Sequence, residues 1–104
     1  MENVNFSDIA RGKTALVLHP KDNVGVALAD VRAGDSVTVR GDSGDPYGVV
    51  VAEDVAFGHK FALGELSADA PVYKYGEEIG RTKSRVVAGG WIHVHNMYCD
   101  RGMK

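Results

Sequence analysis

Four histidines supply the side chains of this sequence best suited to binding an anion, a metal ion or a proton. His93 and His95 have the spacing His-x-His, which on a strand places both imidazoles on one face. Such a pair can present two ligands to one divalent cation. It can equally bind a substrate carboxylate or line a solvated surface, and the residues leave these three interpretations open. His19 and His59 lie in further polar segments.

Lysines next to expected turns are the second group with chemical potential, namely Lys21, Lys60 and Lys74. A rigid turn can direct an ammonium group toward an anionic substrate such as a carboxylate. Solvent exposure is the usual state of any single lysine, so both interpretations stand. Tyr75 could donate its phenol to a substrate oxygen or pack in an interface. Asp22 could act as an acid or base, but nothing in the sequence pairs it with a partner.

Short β-branched runs separated by glycine must position these residues, and they predict an all-β protein. The predicted strands are Ala15–Leu18, Val24–Ala29, Ser36–Arg40, Val49–Ala52, Pro71–Tyr75 and Trp91–His95. No segment keeps a helical period for three turns, and short helical turns are expected at Phe6–Ala10, Asp54–Gly58 and Gly64–Ala68. The turn-rich segment Gly41–Gly48 predicts an exposed hairpin loop.

A recurring seven-residue segment punctuates the chain. Its copies are Val31–Val37, Leu66–Val72 and Val86–Ile92, each with an apolar first residue, alanine in third place and Gly or Asp in fourth. Gly and Asp tolerate left-handed backbone conformations, so each copy predicts a corner that leads into a strand. Chance recurrence of common turn chemistry is the alternative explanation.

Composition restricts the class of protein. The 104 residues suffice for one domain, and 44% of them are hydrophobic. A net charge of −2 without a basic run argues against nucleic acid as a partner. No apolar stretch approaches the roughly 20 residues that cross a membrane. A single cysteine, Cys99, excludes an internal disulfide, and the polar N-terminus is unlike a secretory signal, so we expect a cytoplasmic protein.

Four motifs in order resemble the SAF domain of the altronate and galactarate dehydratases. They are His19–Leu28, Gly58–Leu63, Lys74–Gly80 and His93–Asn96. The small subunit of sulfolactate sulfo-lyase shows the same order. The resemblance implies a compact β-clip domain at residues 15–97, with an extension at 1–14 and a tail at 98–104. It also implies elimination of water from a sugar acid to give a 2-keto-3-deoxy acid, together with a large catalytic subunit. Iron or manganese would serve the assembled enzyme.

The resemblance also implies site residues, which we expect the β scaffold to gather into one patch facing an anion. Catalytic roles fall to His59, His93 and His95, of which His93 and His95 are candidate metal ligands. Substrate-binding roles fall to His19, Lys21, Asp22, Asn23, Lys60, Lys74 and Tyr75. The loop Gly41–Gly48 looks longer than in the family, and the chain ends where fused relatives continue. A sulfo-lyase subunit, a stand-alone module binding an organic anion, a purely structural role and homo-oligomerisation stay open.

Overall fold

The computed structural model describes residues 13–41 and 44–99, and these form strands and turns without any helix. Consequently no helix of the described chain could cross a membrane. The strands are β1 Thr14–Val17, β2 Val24–Ala27, β3 Ser36–Gly41, β4 Tyr47–Val50, β5 Lys60–Ala62, β6 Pro71–Lys74, β7 Glu77–Thr82, β8 Trp91–Ile92 and β9 Met97–Tyr98. The predicted all-β class is therefore confirmed.

The strands form two sheets. Six pair in the order β4-β3-β1-β2-β5-β8, with β1 parallel to β3 and the other pairs antiparallel. β6, β7 and β9 form a smaller antiparallel sheet. Val37 and Val39 of β3 are buried while Ser36 and Arg40 are exposed, as the alternation in the sequence predicts.

Two hydrophobic clusters lie on opposite faces of β2 and β5. Phe61 belongs to the first cluster and its neighbour Ala62 to the second, and both are fully buried. All of β2 is buried for the same reason, with Val24 in the second cluster and Ala27 in the first. A strand covered on both faces is apolar throughout, which explains the unbroken apolar run of β2.

The recurring segment is a structural unit, and the structure contains a fourth copy that the sequence pattern did not reveal. The copies begin at Val31, Val55, Leu66 and Val86, and the residue three positions later has positive φ each time. Those residues are Gly34 (φ 93), Gly58 (φ 84), Asp69 (φ 61) and Gly89 (φ 81). The copy at Val55 does not match the sequence motif because phenylalanine replaces the alanine of the motif at position 57.

The four corners associate in two pairs. Val31 and Val55 exchange backbone hydrogen bonds of 2.9 Å in both directions, and Leu66 and Val86 exchange bonds of 2.8 Å. The first pair is locked further by side chains, since Asp30 Oδ1 accepts Phe57 N–H at 2.8 Å and Asp54 Oδ1 accepts Ala33 N–H at 2.9 Å. These exchanges make the corners rigid supports for the strands that follow them.

Several local predictions were wrong. Residues 54–58 and 64–68 form bends and corner turns rather than helical turns, because their backbone groups bond to the paired corners and neighbouring strands. Strands at Lys60–Ala62, Glu77–Thr82 and Met97–Tyr98 were not predicted. β7 forms despite two glutamates and a glycine, since the turn at Tyr75 and Gly76 pairs it with β6. The helical turn expected at Phe6–Ala10 lies outside the described residues.

Candidate functional site

The loop between β1 and β2 holds the tip of the β6–β7 hairpin. Tyr75 and Gly76 both have positive φ, 57° and 82°, as in the two-residue turns that favour Asn-Gly. A tyrosine in this conformation costs roughly 1 kcal/mol, so its surroundings must maintain it. Asp22 Oδ1 accepts Gly76 N–H at 2.8 Å, and the His19 ring lies where a Cβ on Gly76 would be. Tyr75 is thereby presented to solvent at a fixed place.

Asn23 joins the same loop to β6. Its Oδ1 accepts Tyr73 N–H at 2.8 Å, and its Nδ2 donates to the Pro71 carbonyl at 2.9 Å. The side-chain atoms of Asn23 and both carboxylate oxygens of Asp22 thus have backbone partners, since Asp22 Oδ2 accepts Leu18 N–H at 3.3 Å. A direct contact between substrate and either residue stays a prediction.

We expect Asn23→Ala to lower the free energy of unfolding by about 2 kcal/mol, because it leaves two partly buried backbone groups without partners. Urea denaturation measures the loss. Asn23→Asp separates the two bonds: it keeps the acceptor for Tyr73 N–H but places an oxygen without a hydrogen against the Pro71 carbonyl, so any loss it shows belongs to that second contact. Unchanged stability of Asn23→Ala, with weaker ligand binding, would instead assign Asn23 to substrate.

Trp91 is the centre of a cluster that contains three histidines. Its ring lies 5.3 Å from His93 in a stacked arrangement, 4.8 Å from His95 and 5.8 Å from His59, measured between centroids. Its Nε1–H donates to His59 Nδ1 at 3.3 Å, an orientation that leaves His59 Nε2 to carry a proton. Trp91 also packs against the first hydrophobic cluster. Trp91 therefore positions three imidazoles against a rigid core.

The cluster assembles because β5 and β8 pair. Phe61 lies opposite Trp91 and Lys60 opposite Ile92, so residues following the corners at Val55 and Val86 become neighbours. As a consequence, the ring centroids of His93 and His59 are 5.1 Å apart.

His93 and His95 lie on a turn and not on the predicted strand. β8 ends at Ile92, after which Asn96 Oδ1 accepts His93 N–H at 3.0 Å and Asn96 Nδ2 donates to the Trp91 carbonyl at 2.8 Å. Such local asparagine bonds compete with strand pairing, which explains the error. Both imidazoles nevertheless contact Trp91.

Positive charge accumulates beside this cluster. Burial, and then the charge of Lys74, lowers the pKa of the half-buried Lys60. Partial burial, followed by the charges of His59, Lys60 and His95, lowers the pKa of His93. Neither Lys60 nor Lys74 forms an ion pair with another residue of the ranges 13–41 and 44–99. An ammonium group that lacks a counter-ion in a partly buried place favours an anionic ligand.

Four of the predicted residues lie near enough to influence one another, namely Lys74, Tyr75, Lys60 and His93. Lys74 Nζ lies 5.1 Å from the Tyr75 ring, and its charge acts on Lys60, whose charge acts on His93. Lys21 is more peripheral, with Nζ 5.3 Å from the Tyr73 ring. Sequence reasoning missed Trp91, although it is the chain's one tryptophan and directly precedes the His-x-His motif.

The metal interpretation of His93 and His95 finds no complete donor set in the part of the chain that the structure describes. No group of three or more His, Cys, Asp or Glu side chains there is arranged to hold a metal ion. The two imidazoles alone do not fit a structural or catalytic metal site, which normally takes at least three protein ligands.

Comparisons with known proteins agree with these observations. The profile of the altronate/galactarate dehydratase SAF domain matches residues 13–100. The chain is 44% identical to altronate dehydratase of Escherichia coli (strain K12) over 79 residues, which cover 76% of this chain and 15% of that enzyme. It is 31% identical to galactarate dehydratase (L-threo-forming) of the same strain over 88% of this chain and 16% of the enzyme. The (2R)-sulfolactate sulfo-lyase subunit alpha of Chromohalobacter salexigens is 35% identical over 82% of this chain and 94% of that subunit.

Proposed function

The chain belongs to the altronate/galactarate dehydratase SAF domain family, and from this premise we propose that it is the small part of a sugar-acid dehydratase. Together with a large catalytic chain it would eliminate water from an aldonic or aldaric acid to give a 2-keto-3-deoxy acid. Its all-β architecture agrees with an SAF-type β-clip. The chain spans 15–16% of the length of these dehydratases, and we propose that a larger catalytic chain supplies the remainder of the machinery.

The half-buried Lys60 ammonium, which forms no ion pair within residues 13–41 and 44–99, is the observation that supports this proposal. It is half-buried beside Lys74 and near His93, with no carboxylate of the described ranges bound to it. The carboxylate of a sugar acid would supply the missing negative charge and recover part of the cost of burying the cation. The site accordingly suits a small organic anion.

The reaction needs a base for the proton α to the carboxylate and an acid for the departing β-hydroxyl. We assign carboxylate binding to Lys60 and Lys74. The imidazoles of His59, His93 and His95 are the proton-transfer candidates of this chain, and His59 can hold a proton on Nε2 while Trp91 occupies Nδ1. His19, Lys21 and Tyr75 would line the approach to the site. The divalent cation, iron or manganese, is assigned to the large chain because a three-donor set is missing from the described residues.

A sulfolactate sulfo-lyase is the second candidate. The observation in its favour is the extent of the match, which takes in 94% of one subunit alpha and 92% of another, from Paracoccus pantotrophus. A sulfonate is also an anion, so the same cationic cluster would serve it. A stand-alone anion-binding module is the third reading.

Titration calorimetry of the chain with altronate, galactarate and sulfolactate distinguishes these functions. We expect heat with at least one of them, and an affinity that falls as the pH rises through the pKa of His93. A bound anion favours the imidazolium form of His93, so above the pKa of His93 binding takes up a proton. Affinity therefore decreases as the pH rises. The fluorescence of Trp91 provides an independent signal. Absence of binding to all three anions would contradict the proposal.

Activity with the large chain separates a dehydratase subunit from a binding module. We expect keto-acid formation to require both chains. A large chain that dehydrates its substrate equally well alone would show that the small chain is not part of the catalytic unit.

A further inference from the structure

Phe57 departs from the pattern of the four corners. At the position two residues after the bridge, the other three copies carry Ala33, Ala68 and Ala88. Phe57 is instead 64% exposed, so its ring contributes little to the core. Alanine suffices at this position in the other three corners, so the corner does not require an aromatic side chain. The exposed Phe57 ring is therefore available to a partner.

A cleft of about 480 Å³ is lined in part by Ala56, the residue that precedes Phe57. The buried side chains of Val31 and Val55 are among its lining, and His59 and Trp91 also line it. Asp30 contributes to it too, and the same carboxylate holds Phe57 N–H at 2.8 Å. Phe57 is thus an exposed aromatic residue whose backbone is held by a carboxylate of the cleft and whose chain neighbour lines that cleft.

We propose that Phe57 and this cleft form the docking surface for the large catalytic chain of the lyase. Two observations identify that occupant. The relatives compared above are either much longer enzymes or the alpha subunit of a lyase. In both cases the domain is accompanied by additional protein. The cleft is also continuous with the cationic site, because His59 and Trp91 belong to both. A partner seated there closes over the proposed anion.

The chemistry of the partner surface follows. It offers an apolar pocket to Phe57 and inserts an apolar side chain into the cleft. Arg32 and Asp54, which also line the cleft, provide the polar surroundings usual at such contacts. A buried aromatic anchor next to a cleft is a common form of interface hot spot. This inference rests on the proposed function, because it presumes that a catalytic chain exists.

The test uses an affinity-tagged copy of the full chain, expressed in the organism that encodes it. Dehydration of altronate or galactarate, and desulfonation of sulfolactate, is assayed in the purified material. We expect the wild-type chain to co-purify with lyase activity. With Phe57→Ala we expect the co-purified activity to fall at least roughly tenfold. Alanine at the equivalent position of three other corners indicates that the variant folds. Tyr47→Ala is the control, since Tyr47 is 50% exposed on β4 and does not line the cleft.

A second variant, Ala56→Trp, places a large ring in the cleft while keeping Phe57 in the chain, and we expect the same loss. Phe57→Ala should bind the free anion as the wild type does, by calorimetry. Equal retention of activity by Phe57→Ala and the wild type would overturn the docking surface and leave the proposed function intact. An equal loss with Tyr47→Ala would also overturn it. A wild-type chain that retains no lyase activity would overturn the proposed function, and the docking inference with it.

Discussion

Gly89→Ala is expected to destabilise the protein by about 3 kcal/mol or more, a large share of the 5–15 kcal/mol typical of a domain. Gly89 has φ 81°, which costs an alanine roughly 1 kcal/mol. The added Cβ would also collide with the Val50 carbonyl oxygen and lie 2.9 Å from Val51 Cα. Both neighbours are backbone atoms, so the corner would have to move away from the end of β4. Urea denaturation followed by Trp91 fluorescence measures the effect.

Gly34→Ala is the matched control for the steric part of this effect. Gly34 occupies the same place in the corner at Val31 and has φ 93°, but no atom lies within 4 Å of its added Cβ. We therefore expect only the conformational cost of about 1 kcal/mol. An equal loss of stability in the two variants would contradict the steric argument. Glycine at position 89 would then be required by its φ alone and not by packing against β4.

Lys60→Met is expected to weaken anion binding by about 10- to 100-fold, the loss typical for one charge-assisted hydrogen bond. The same change should leave the free energy of unfolding unchanged or raise it. Burial lowers the pKa of Lys60 in the folded chain, so the ammonium is less favourable there than in the unfolded chain. Between the two pKa values the unfolded state binds more protons, and stability rises with pH. Methionine removes both the burial cost and this pH dependence.

Lys13→Met is the control, because it makes the same change in net charge at an exposed residue that pairs with Asp35 at 3.0 Å. We expect its anion affinity to match that of the wild type. Calorimetry and urea denaturation of both variants provide the two measurements. Wild-type affinity in Lys60→Met, or a marked fall in its stability, would assign Lys60 to the scaffold rather than to the ligand.

Local patterns were informative where one segment decides its own structure. The alternation around Val37 and Val39 predicted the buried face of β3, and the Ala-Gly corners were recognised from residue type, because positive φ selects glycine or aspartate. The corner at Val55 was missed because Phe57 removes the motif while leaving the hydrogen bonds intact. The turn at His93–Asn96 was missed because one asparagine side chain replaces strand pairing there.

The sequence by itself determined the all-β class, the family resemblance and which side chains are candidates for binding a small anion. Only the tertiary structure decided which of them meet. His59 and Trp91 are 32 positions apart and become neighbours through the pairing of β5 with β8. The same folding places Asn23 and Asp22 on backbone partners of the β6–β7 hairpin. The spacing of residue types along a chain predicts local conformation. Contacts between distant segments depend instead on burial and hydrogen bonding across the whole fold.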